Sequence, residues 1–162
     1  MLLVAKLDSQ RQARIEGYIK CPNHNGFQSI TFLVDTGCSQ TCLLPDDVVR
    51  LGIDYEHLPM ITKTIVTANG PVSLRLLSNV EVDLPVLGGL LDKKKVLVKI
   101  PISQLALLPP GENYKPLPPP MVFSLLGMDI LQFFPRWVFK KDELVMDFGA
   151  NELESLIQSL KI

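Results

Sequence analysis

Asp35-Thr36-Gly37 follows directly on Phe32-Leu33-Val34. An acid at the exit of an apolar strand stands where a site can use it. The next residues include small ones, Cys38 and Ser39, with Thr41 and Leu43 beyond. Far downstream, Leu125-Leu126-Gly127-Met128-Asp129-Ile130-Leu131 reads as an apolar strand, a glycine and the start of a helix. A lone carboxyl acts as a base or as an acid, but not as both at once. Hydrolysing an amide without a metal or a covalent nucleophile takes one carboxylate to accept a proton from water and one carboxylic acid to protonate the carbonyl oxygen. Two carboxyls held a few ångströms apart share one proton and titrate as a pair. The chain contains one Asp-Thr-Gly, so the second acid has to come from elsewhere. A two-fold axis beside Asp35 supplies it, and symmetric pairing is the commonest assembly of identical chains.

The tripeptide by itself is weak, since average residue usage yields it by chance in roughly a few per cent of chains this long. The order strand, Asp-Thr-Gly, glycine-tipped hairpin, then Leu-Leu-Gly and a short helix resembles the retropepsin-like (retroviral-type) aspartic proteases, over about residues 12–148. That resemblance implies a closed β-barrel with a flap hairpin, and an aspartic endopeptidase acting as a homodimer on extended peptides with no cofactor. It places the catalytic aspartate at Asp35 and the shaping of its loop at Thr36 and Gly37. It puts the flap tip at Ala68, Asn69 and Gly70, and support beneath the active-site loop at Leu126 and Gly127. It also implies that Thr36 hydroxyls brace the two loops across the dimer. Gly37, lacking a Cβ, lets the two loop backbones approach. Cys38 departs from the commoner alanine or serine at its position. The chain departs again at its end, where many viral members finish in an interface strand and this one has a helical pattern. Either Met1–Leu7 as a strand or the face formed by 153–160 is then expected at the two-fold.

The elements that carry these residues read mostly in period two. Arg14–Lys20 alternates, residues 22–26 are turn formers, and Phe27–Val34 follows as the second strand of a hairpin. Thr41–Leu44 reads as a short strand. Pro45–Gly52 has an early proline, early acids and a closing glycine, the marks of a short helix. Ile61–Thr67 and Val72–Leu76 flank Ala68-Asn69-Gly70-Pro71, and Asn-Gly is the strongest short hairpin signal. Lowered over an extended peptide, this hairpin offers backbone hydrogen bonds and excludes water. Val80–Leu84 and Lys95–Ile100 read as further strands. Residues 109–120 are too proline-rich for regular structure. A helical pattern follows Gly127 through Phe134. Arg136–Lys140 and Leu144–Phe148 form a last hairpin, and 151–161 has the 153, 156, 157, 160 spacing of an amphipathic helix. The expectation is one mostly-β domain over 1–162.

Composition bounds the rest. The 162 residues suit one domain, 47% are hydrophobic and 20% charged, and the net charge is −1, which gives no pull toward nucleic acid or an anionic membrane. No apolar run is long enough to span a bilayer, and the first residues lack a secretory pattern. Cys21, Cys38 and Cys42 cannot all pair within one chain, which fits a reducing, cytoplasmic setting. Cys38 and Cys42 read as small buried residues rather than metal ligands, Asp129 as a helix cap or a brace for a neighbouring loop, and Asp147-Phe148-Gly149 as a strand end. His24 and His57 carry no partner signature. Residues 116–120 are better read as a stiff loop than as a ligand for an SH3-type domain. The competing functional reading is a dimer of the same fold that binds peptides or assembles without cutting; pairing with a different Asp-Thr-Gly chain is a third.

Overall fold

The computed structural model describes residues 1–21, 27–58, 63–67, 70–88, 95–110, 115 and 123–148, with the backbone alone over 63–67 and 70–71. Ten strands run in order with short helices between them: β1 (Leu2–Leu7), β2 (Ala13–Lys20), β3 (Gln28–Val34), β4 (Cys42–Leu43), α1 (Pro45–Arg50), a 3₁₀ turn (Tyr55–His57), β5 (Lys63–Thr67), β6 (Gly70–Leu87), β7 (Lys95–Leu107), β8 (Ser124–Leu126), α2 (Met128–Leu131), β9 (Arg136–Phe139) and β10 (Glu143–Asp147). The strands hydrogen-bond in the order β5-β6-β7-β4-β8-β3-β2-β1-β10-β9, and β6 also pairs with β2 and β1.

Alternation accounts for the central hairpin. Ala13, Ile15, Gly17 and Ile19 of β2 are buried while Glu16, Tyr18 and Lys20 face outward. On β3, Ile30 and Phe32 fill the same core. The register sets Ile15 against Phe32 and Gly17 against Ile30. Gly17 marks the crossing of β6: a Cβ there would lie 2.9 Å from Leu84 Cδ2 and 3.2 Å from the Asp83 carbonyl oxygen. The close approach of the two strands therefore leaves little room for a side chain at this position.

Four readings of the sequence are revised. Residues 72–76 and 80–84 belong to one strand of 18 residues. Asn79 takes a positive φ of 59° inside it, yet Ser78↔Gln104 and Val80↔Ile102 keep one register on either side. Asparagine tolerates the left-handed region, so the ladder skips Asn79 and resumes in the same register. The strand after it continues to Leu107, beyond Pro101, whose missing N–H removes one donor and not the pairing. Finally, β1 is an internal strand. It pairs with β10 along one edge, and with β2 and β6 along the other, Leu2 lying opposite both Asp147 and Leu87. One edge is paired along Leu2–Lys6 and the other at Leu2, Leu3, Lys6 and Leu7, so β1 is not an open edge strand. The helix after Gly127 is a single turn rather than a run to Phe134.

The expected helix at 151–161 and most of the proline-rich stretch 109–120 lie outside the described residues. So do Ala68 and Asn69. Among the described residues no helix is long and apolar enough to cross a membrane.

Asp83 is an anomaly within β6. It is 2% exposed, and its Oδ1 finds no hydrogen-bond partner among the described residues. Burial raises its carboxyl above the ordinary value, Glu81 adds to the rise, and Lys99 and Lys20 oppose it. A carboxyl whose folded-state value is raised stabilises the fold most when neutral, and loses that contribution as pH rises through the folded value. Asp83→Asn is therefore expected to stabilise the protein at pH 7 by about 1 kcal/mol, raising Tm by roughly 2–4 °C. The gain should fade as pH falls into the ordinary carboxyl range, where the native acid is itself neutral. Thermal melts of both proteins at neutral and acidic pH check this, and an equal or lower Tm for the variant at neutral pH counts against it.

Candidate active site

Two strands far apart in sequence place the site. β3 and β8 are parallel neighbours with Val34 opposite Leu126, so Asp35 and Gly127 leave the sheet side by side. The Asp35 N–H donates to the Leu126 carbonyl at 3.1 Å, carrying the ladder one step past the end of β3. The loop then folds on its own acid. Gly37 N–H donates to Asp35 Oδ1 at 2.9 Å, and Cys38 N–H donates to the Asp35 carbonyl at 3.2 Å. Asp35 is half-buried, whereas Thr36 and Gly37 are exposed. The carboxylate is thus fixed by one oxygen at the surface of the molecule, with exposed backbone on the far side of its loop.

The far end of the loop is latched from below. Met128 N–H donates to the Cys38 carbonyl at 2.8 Å. Thr41, fully buried, donates its N–H (2.8 Å) and its hydroxyl (2.7 Å) to Asp129 Oδ1, and the same hydroxyl accepts from Gly127 N–H at 3.1 Å. Both polar groups of buried Thr41 and the Gly127 N–H are satisfied in this small network, which is what makes a buried network rigid rather than costly. Of the two roles considered for Asp129, the brace is present: the N-cap of α2 is Gly127, with no side-chain cap, and the Asp129 carboxylate reaches across to Thr41 while also accepting from Ile130 N–H at 3.0 Å. Gly127 is packed so closely under the loop that a Cβ would lie 2.4 Å from the Gln40 carbonyl carbon and 2.7 Å from both Gln40 O and Thr41 N. Leu126 is buried beside it. Thr41 was read only as part of a short strand; the spacing of Asp129 two residues beyond Gly127 was the available sign of its partner.

The hairpin at 63–76 starts from a stiff base. Thr67 is opposite Gly70 and Lys63 opposite Leu74. One residue on, Arg75 donates to the carbonyls of Glu56 and Leu58, pairs with Glu56 Oε2 at 3.1 Å and covers the Tyr55 ring at 4.9 Å. The backbone places Gly70 at the start of β6; Ala68 and Asn69 are not described.

No disulfide joins Cys21, Cys38 and Cys42. Burial pushes the Cys42 thiol up to about 12 and the Cys21 thiol to about 11, so both act as small apolar residues. Among the described residues no three His, Cys, Asp or Glu side chains gather as ligands for a metal.

A family model described as Aspartyl protease matches residues 22–130, a stretch that holds both Asp35-Thr36-Gly37 and Gly127. The chain belongs to the aspartyl protease family. In the aspartyl protease match, the two ends of the latched loop and the hairpin between them all fall within the shared region. The fold is similar to the crystal structure of a retropepsin-like aspartic protease from Rickettsia conorii, with a TM-score of 0.55, 22% identity and 91% of each chain covered. No curated protein matches the chain.

Proposed function

We propose that this aspartyl protease is an endopeptidase that cleaves extended polypeptides with a water molecule held between two Asp35 carboxyls, one from each chain of a homodimer. The observation that carries the reading is the tethered, half-exposed Asp35 carboxylate in the chain's one Asp-Thr-Gly, on a loop latched to Leu126, Gly127 and Asp129. One oxygen is held by Gly37 N–H while the other stays available, as a shared-proton pair requires. Exposed Thr36 and Gly37 leave the loop backbone open to a symmetric neighbour. The hairpin of β5 and β6, with its tip at Ala68-Asn69-Gly70, acts as the flap, donating strand-like hydrogen bonds to the substrate and excluding water. The circuit of pairing from β6 through β7, β4, β8, β3 and β2 back to β6 supports a closed barrel, and the unit is the single domain 1–162. Pairing along most of both edges of β1 argues against its serving as an interface strand added to a second chain. Three cysteines without a disulfide between them support a reducing, cytoplasmic setting.

Incubation with a denatured protein across acidic pH, with and without a statine-type inhibitor, tests the proposal. Cleavage is expected to follow a bell-shaped pH dependence with an acidic to mildly acidic optimum, because one carboxyl must carry the proton and the other must not. The inhibitor should suppress it. Substrate binding without any cleavage would instead mean a peptide-binding module, and a maximal rate above about pH 8 is incompatible with a shared-proton pair.

A further inference from the structure

The hairpin of β5 and β6 leaves the body of the sheet at a single residue. Among the described residues β5 pairs with β6 alone, from Thr67 opposite Gly70 down to Lys63 opposite Leu74. At Arg75 the returning strand changes partner. Arg75 lies opposite Leu107 and Leu76 opposite Ala106, and the ladder with β7 runs on to Leu87. Leu74 thus closes a two-stranded ribbon and Arg75 opens the main sheet. Such a ribbon is marginal by itself, and its own pairing does not fix its angle to the sheet it leaves. Contacts at the junction must do so.

The junction is held on both faces. Leu74 and Leu76 turn to one face, where both are buried with Cys42 and Ala106. Arg75 turns to the other, with its side chain only 15% exposed. Its Nη1 donates to the Glu56 carbonyl at 2.5 Å and to the Leu58 carbonyl at 2.7 Å. Its Cζ sits over the Tyr55 ring at 4.9 Å, and Tyr55 is buried in the main core with Leu58 packed against that core. Residues 55–58 precede β5. Arg75, on the strand that returns from the ribbon, therefore grips the chain that leads into it, at a point anchored in the core.

We infer that Arg75 is the hinge clamp of the ribbon, a positioning residue that holds β5 and β6 at one angle to the sheet so that substrate meets a hairpin already in place. The inference rests on the reading of this hairpin as the flap, and it assigns what controls that flap. Two carbonyls are met by the two hydrogens of one planar nitrogen, a fixed fork that a lysine ammonium of the same charge does not reproduce. The ion pair from Nη2 to Glu56 Oε2 at 3.1 Å is secondary, because the Glu56 side chain is 77% exposed. A ribbon released from the clamp visits other angles. Only the fraction in place then binds substrate, so KM rises by the reciprocal of that fraction while the bound complex reacts as before.

Hydrogen exchange on the intact protein and steady-state cleavage of a denatured protein test the clamp, in the wild type, Arg75→Lys and Glu56→Gln. Arg75→Lys is expected to speed amide exchange within 63–74 by about tenfold, the order of one charge-assisted hydrogen bond, with β2 and β3 unchanged. It should raise KM by a similar factor and keep kcat within about twofold. Glu56→Gln should leave exchange and KM within about twofold of the wild type. Unchanged exchange in Arg75→Lys, or a rise equalled in β2 and β3, overturns the clamp whether or not the protein cleaves anything. Faster exchange with KM unaltered, or a loss confined to kcat, overturns the positioning role. An effect of Glu56→Gln as large as that of Arg75→Lys overturns it too, by making the ion pair the working contact. A wild type that cleaves nothing defeats the catalytic reading instead, and the exchange comparison then still decides the clamp.

Discussion

Asp35→Asn is expected to lower peptide-bond hydrolysis by about 10⁴-fold or more, roughly 5.5 kcal/mol in the barrier, with fold and pairing intact. The substitution keeps the shape of the side chain, and the asparagine carbonyl still accepts the 2.9 Å hydrogen bond from Gly37 N–H. The Asp35 N–H to Leu126 link and the Thr41–Asp129 latch do not involve the carboxylate at all. What disappears is the one proton that the pair must share, so the loss belongs to the chemical step rather than to substrate binding. Mixing separates a two-chain site from a one-chain site. If each site needs both acids, adding an equal amount of the variant to the wild type, with free exchange, should about halve the activity of the wild-type chains by random pairing. If each chain worked alone, the added variant would change nothing. Turnover by Asp35→Asn at the wild-type rate removes Asp35 from the chemistry altogether.

Gly127→Ala is expected to be the most damaging small substitution in the described structure. A single methyl group would sit 2.4 Å from Gln40 C and 2.7 Å from Gln40 O and Thr41 N, and all three are backbone atoms that cannot rotate out of the way. Relief requires moving residues 40–41 off β8, which breaks the Gly127 N–H to Thr41 hydroxyl bond and strains Met128 N–H to Cys38 O. Overpacking against backbone with loss of a buried network should cost about 3 kcal/mol or more, a fall in Tm of roughly 6–12 °C, together with loss of cleavage. Gly37→Ala is the informative contrast. Among the described residues its Cβ meets only the Asp35 Oδ1 at 3.2 Å, so the fold should hold while the carboxylate is pushed from its seat and activity falls. Thermal melts and proteolysis assays on the two variants check the pair. A Gly127→Ala protein melting within about 2 °C of wild type would show that the loop does not rest on Gly127 in the way the packing requires.

Much of this was legible in the residues. Alternation along 14–20 and 27–34 gave the central hairpin, Asn69-Gly70 marked the second one, and the acid after Val34 stood out because it ends an apolar strand. These are local signals, written in side-chain periodicity and turn chemistry. Continuity through Asn79 was not legible, because an asparagine with a positive φ looks like a turn until a partner strand holds the ladder on both sides of it. Nor was the burial of both edges of β1, since alternation says which face of a strand is apolar and nothing about who lies beside it.

By itself the sequence determined the kind of chemistry: a single Asp-Thr-Gly at a strand exit, a Leu-Leu-Gly far downstream, and chain composition suited to one β-rich unit. Only the tertiary structure decided that the two motifs lie side by side, through the parallel register of Val34 and Leu126, and that Asp129 reaches across to Thr41 as well as to Ile130 N–H in its own helix. The reason is that strand pairing and buried hydrogen bonds join residues across long separations, and their partners are chosen by packing the whole core at once.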